Sequence, residues 1–175
     1  TGFAGFAAMA SATSFVAVSD EALVDRAPLA VGGEVVAVDR AAGLADGVVR
    51  TEFEIAVQDV LKGEAPGRIR VAVPGGEAEG GLALKIYGAP LLRQGERVLL
   101  FLSPRGKFFR IEHLMLGVFH EVRVGDRRFA TRRLEGASEV RIAGSALVPV
   151  VSHQPLRDFD AFAEWMYQRP QQTRA

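Results

Sequence analysis

The 175-residue chain contains no cysteine, which excludes disulfides, thiolate zinc sites and cysteine nucleophiles and leaves packing to supply its stability. It has no excess of either charge. Twenty-one Lys and Arg balance twenty-one Asp and Glu, so the generic electrostatic warrant for binding nucleic acid or an anionic lipid surface is missing. No long uninterrupted apolar run is present either. The uncharged stretch 1–18 comes nearest, but Gly2, Gly5 and Ser11 break it, which argues against a membrane span. What remains is a composition of 49% apolar and 24% charged residues, that of one folded domain with no tendency to disorder.

Residues 1–18 are rich in Ala, Phe and Gly and contain Ala10-Ser11-Ala12, a small-residue pattern like a signal-peptidase site. They read as the remnant of a secretory signal, so the mature protein is expected to be exported, periplasmic or extracellular. Residues 19–151 then form the main domain, 152–168 a terminal helix and 169–175 a polar tail.

Ser19 caps a short helix whose first turn carries Asp20 and Glu21, and Pro28 closes it. From residue 29 to 38 Val and small residues surround Gly32-Gly33, the mark of a buried strand that bends or bulges. Strict period-two alternation follows: Val49, Thr51, Phe53, Ile55, Val57, Asp59 and Leu61 on one side, Arg50, Glu52, Glu54 and Gln58 on the other. Ile69, Val71 and Val73 repeat it after the Ala65-Pro66-Gly67 turn, which predicts an antiparallel pair. Residues 77–81 form a loop. Val98-Leu99-Leu100-Phe101-Leu102 is apolar without alternation and predicts a central strand buried on both faces. Shorter strands are expected over 108–112, 118–124 and 127–131, the last two joined by Gly125-Asp126. Only the C-terminus is helical beyond one turn. There Pro155 suits the first position, Leu156, Phe159, Phe162, Ala163 and Met166 make one face, and Arg169-Pro170 stops the helix. The pattern predicts a mainly β fold, an antiparallel barrel of the oligonucleotide/oligosaccharide-binding type with extra hairpins, a short N-terminal helix and an amphipathic C-terminal one.

The search for chemistry finds no catalytic, cofactor-binding or metal-binding residues. His120-Glu121 lacks the second histidine of a zinc-protease helix, since Val124 stands there, and His113, His120 and His153 read as structural or solvated. No G-x-S-x-G elbow exists, and Ser103, Ser138, Ser145 and Ser152 have no local activating base. Glycines 75–76 and 80–81 make turns, not a phosphate loop. Glu77, Glu79 and Asp59 are too sparse for a calcium loop. Phe108, Phe109, Phe119 and Phe129 are assigned to packing, and Arg127, Arg128, Arg132 and Arg133 to a solvated hairpin.

Three stretches carry a resemblance: Thr51-x-Phe53-x-Ile55-x-Val57-x-Asp59-Val60-Leu61-Lys62-Gly63, then Val71-x-Val73-Pro74-Gly75-Gly76, then Gly88-x-Pro90 through Gly95-Glu96 into the 98–102 run. Together they resemble the β-domain that precedes the catalytic domain in some bacterial exported matrixin-like metalloproteases. They are also similar to the netrin-like domains of metalloproteinase inhibitors. The likeness spans about residues 23–124 and implies a barrel and an accessory role. The inhibitors' cysteines have no counterpart and no zinc helix follows Met166, so no functional residue carries over. The expected function is an exported, non-catalytic accessory or interaction domain with a protein partner such as a protease. The alternatives are a pro-domain or inhibitor-like module of a zinc metalloprotease, and a hydrolase with a site assembled from distant residues, which loss of activity in a His113 or His120 alanine variant would support. No cofactor is expected, and the sequence leaves the oligomeric state open.

Overall fold

The computed structural model describes residues 13–42, 47–134, 137–151 and 154–172. Ala10-Ser11-Ala12 and His153 lie outside them. Along the chain come β1 (Thr13–Val16), α1 (Asp20–Arg26), β2 (Leu29–Asp39), β3 (Arg50–Lys62) and β4 (Arg68–Pro74). The two-residue strands β5 (Gly76–Glu77) and β6 (Ala83–Leu84) follow, then β7 (Arg97–Arg105), β8 (Phe108–Ile111), β9 (Val118–Val124) and β10 (Arg127–Thr131). β11 (Ala137–Ala143), β12 (Ala146–Pro149), β13 (Arg157–Asp158) and α2 (Phe159–Gln172) complete it. The fold is mainly β with two helices, and no helix of the described residues is long and apolar enough to cross a membrane.

The large sheet runs β13-β10-β9-β7-β2-β3-β4-β8, and β8 pairs both with β4, in parallel, and with β7, antiparallel. The predicted β3–β4 hairpin is there, with Phe53 opposite Val71 and Ile55 opposite Ile69. The alternation does not run to Leu61, however. Gly32 faces Asp59 and Gly33 faces Val57, so Gln58 is an extra residue that bulges the strand. A Cβ on Gly33 would stand 2.5 Å from the Ala56 carbonyl oxygen, so only glycine lets the two backbones approach this closely. Past the bulge, Leu61 joins a different apolar cluster from Phe53 and Ile55.

Those two clusters share β7. Val98, Leu100 and Leu102 point into the first core, with Val31, Val35, Phe53, Ile55 and Val71. Leu99 and Phe101 point into the second, with Leu23, Val24, Phe119, Phe162 and Met166. The uninterrupted apolar run in β7 thus has the expected cause: a strand covered on both faces.

Helix α1 starts as predicted, with the Ala22 N–H donating to Ser19 Oγ at 3.2 Å. Helix α2 does not. Arg157 and Asp158 pair with β10 as β13, and Asp158 Oδ1 accepts from the Ala161 N–H at 3.1 Å, so the helix opens at Phe159 instead of Pro155. It also passes Pro170 to reach Gln172, because a proline so near the end deletes only one of the last-turn hydrogen bonds. Helix α2 therefore replaces the expected 152–168 boundaries.

A three-stranded sheet, β1-β11-β12, was not anticipated. Thr13–Val16, part of the segment read as a signal remnant, runs parallel to β11.

Candidate functional site

Residues 74–92 leave the main sheet at the end of β4 and fold back past the last residues of β2 and the first of β3. Beneath them is a two-lobed cleft. One lobe has a volume of about 630 Å³ and the other about 510 Å³, and Val38, Arg40, Glu77 and Leu92 line both. Each lobe is of a size that holds a small ligand or a few side chains of a partner.

The segment is fixed by its own backbone. Gly75 N–H donates to the Val49 carbonyl at 3.0 Å, Glu77 N–H to that of Arg40 at 2.8 Å, and Ala78 N–H to that of Leu82 at 2.7 Å. Thr51 Oγ1 donates to the Gly75 carbonyl at 2.9 Å. Gly76, at φ 149°, packs so tightly that a Cβ would lie 2.3 Å from the Arg40 carbonyl oxygen. The Pro74-Gly75-Gly76 stretch is not the predicted turn, since β4 ends at Pro74 and Gly76 already opens β5. Its glycines bring the chain close enough to bond and form the cleft.

Phe53, Val73 and Leu92 make the cleft's inner wall, an extension of the first core. The outer rim is also apolar, although it faces water: Leu91 is 73% exposed, with Leu84 and Tyr87 about half exposed. Lys85 Nζ sits 5.1 Å from the centre of the Tyr87 ring. Arg40, Glu77 and Lys85 supply polar groups to one lobe, and Asp39, Arg93 and Gln94 add others in the second. The sequence marks a loop at residues 77–81 beside the cleft but not the covering segment 82–92. The available signal was Leu82, Leu84, Ile86 and Tyr87 crowded into a segment without a complete strand pattern.

The histidines lie elsewhere. His113 is exposed and left-handed, at φ 53°, before a short turn of 3-10 helix at Leu114–Gly117. His120 is buried in β9, 3% exposed, and no hydrogen bond joins the two among the described residues. Its Nδ1 has no hydrogen-bond partner and lies 3.5 Å from Glu96 Oε2. Burial, aided by the nearby Arg133 charge, pushes the His120 pKa from 6.5 down to about 4. The unfolded chain therefore takes up a proton below about pH 6.5 that the folded chain refuses until about pH 4. Stability falls as pH drops through that window, by about 3 kcal/mol in all. Glu96, pulled up by burial but held net below the usual carboxylate range by its hydrogen bond from Arg133, adds to the loss at lower pH. Urea melts of the wild type and of His120→Gln should diverge between neutral pH and pH 4, with the variant losing less.

Of the arginine-rich stretch only Arg127, 70% exposed at its side chain in the β9–β10 hairpin, is solvated as expected. Arg132 is 7% exposed at its side chain and reaches Asp20 at 2.9 Å, Arg133 bonds Glu96 at 2.7 Å, and Arg128 pairs with Asp160. The four phenylalanines do not form one platform. Phe119 is fully buried, Phe109 packs partly against the first core, and Phe108 and Phe129 lie half-buried under cations. No group of three or more His, Asp or Glu side chains suited to a metal comes together among the described residues. Glu77 lies at the cleft, away from Asp59, which faces Gly32 in β3.

The chain matches no family model and no curated protein.

Proposed function

We propose that the chain is an exported, non-catalytic accessory domain that captures a protein partner in the cleft beneath residues 74–92. The observation that carries this reading is the apolar rim. Leu84, Tyr87 and Leu91 stay in water around a cavity whose backbone is already hydrogen-bonded into place. An apolar patch beside a preformed hollow has a partner's side chains as its natural complement, and a fixed loop lowers the entropy cost of taking them.

The scaffold we propose is a closed five-stranded barrel of the oligonucleotide/oligosaccharide-binding type. Its support is the pairing sequence β7–β2–β3–β4–β8, which returns to β7 through β8. The reading as a module that shields or inhibits a zinc metalloprotease has one specific point in its favour. Pro74-Gly75-Gly76 and Gly88-x-Pro90, two of the stretches that carry the resemblance, border this cleft.

The test is a capture experiment from the native exported fraction with the wild type and with Leu84→Asp/Leu91→Asp. The wild type should retain a specific protein, a metalloprotease on the second reading, that the variant loses while its melting temperature stays the same. Retention of the same protein by both would sink the cleft as the binding surface.

A further inference from the structure

On the main sheet, Phe53, Ile55, Ile69, Val71, Val73 and Ile111 point into the first core. The residues between them in β3, β4 and β8 point outward. That outer face collects Arg50, Arg68, Arg70 and Arg110, and the β7–β8 turn adds Arg105 and Lys107. Among the described residues these six cations meet three carboxylates, Glu52, Glu54 and Glu112, a local excess of three in a chain with no net charge.

Much of the cluster is held in place. Glu52, 6% exposed, binds Arg50 Nε at 2.9 Å and an Arg70 guanidinium nitrogen at 2.5 Å. The Cζ atoms of Arg50 and Arg70 each lie 4.9 Å from the centre of the Phe108 ring, and Lys107 Nζ lies 5.1 Å from it. Arg105 and Lys107 are exposed and have no carboxylate within 4.0 Å among the described residues.

We propose that this face docks an acidic peptide segment of a protein partner, its carboxylates meeting Arg105, Lys107 and the outer arginines, and an apolar residue resting beside Phe108. Charge complementarity supplies the attraction. The three fixed carboxylates choose the kind of anion. Carboxylates interspersed among the cations repel the dense charge of a phosphate row more than they repel the separated carboxylates of an acidic peptide. β8 is paired on both sides, so recognition is by side chains and not by strand addition. The assignment is independent of the cleft.

Fluorescence anisotropy with a labelled peptide of alternating glutamate and phenylalanine tests it. Binding should weaken as salt rises, vanish when glutamine replaces glutamate, and fall about tenfold or more in Arg105→Glu/Lys107→Glu, whose exposed changes leave the melting temperature in place. Leu84→Asp should bind the peptide like the wild type, which keeps a failure of the cleft separate from a failure here. Undiminished binding by the charge-reversed variant, equal binding of the glutamine peptide, or tighter binding of an oligothymidylate would overturn the proposal.

Discussion

Phe162→Asp should destabilise the protein by about 3 to 5 kcal/mol, read as a lower denaturation midpoint in urea at neutral pH. Phe162 is 8% exposed, its ring centre is 4.8 Å from that of Phe119, and it stacks on Trp165 at 5.6 Å. The substitution removes a buried ring, worth about 2 kcal/mol or more in transfer alone, and forces a carboxylate towards Phe119 and Leu99. Phe159→Asp should behave alike. An unchanged midpoint would mean that α2 does not rest on the second core, and the packing derived for that half of the molecule would be lost with it.

Asp20→Ala is the second large effect, about 3 to 5 kcal/mol. Asp20 Oδ1 takes Arg132 at 2.9 Å and its Oδ2 takes Arg157 at 2.6 Å. Both guanidinium groups lie over the Phe119 ring, at 4.5 and 5.0 Å from its centre. Burial presses the Arg132 pKa below its ordinary value and Asp20 opposes that, so removing Asp20 strands two neighbouring cations against an aromatic wall. Asp20→Asn keeps the shape and one acceptor and should cost less. Thermal or urea melts of the two variants give the order. If asparagine costs nothing while alanine does, the carboxylate's charge is not what binds α1 to the rest.

Much of this was legible along the chain. The apolar run 98–102 predicted a strand with no solvent face because nothing polar interrupts it. Ser19 followed by Asp20 and Glu21 predicted a helix start because the cap needs only local atoms. What escaped was set by distant partners. Gln58 becomes a bulge because Gly33, on the neighbouring strand, lets the backbones close in. Pro155 yields the helix start to Asp158 because β10 pairs with Arg157 and Asp158. Arg132 reads as a surface residue until Asp20, 112 positions away, arrives to neutralise it. β11 parallels residues more than a hundred positions earlier, which no local pattern encodes. Of the cleft, the glycines that end β4 could be seen and the covering segment could not. The outer basic face was hidden by a balanced total, since charges that cancel over a whole chain can still separate in space.

Strand β7 carries alternate side chains into both apolar clusters, so neither half of the molecule owns a private foundation. Loosening one side disturbs the wall on which the other leans, and the two cores must give way together as one cooperative unit. Partial opening is left to the outlying β1-β11-β12 sheet and the surface turns, where water can enter without touching that shared partition.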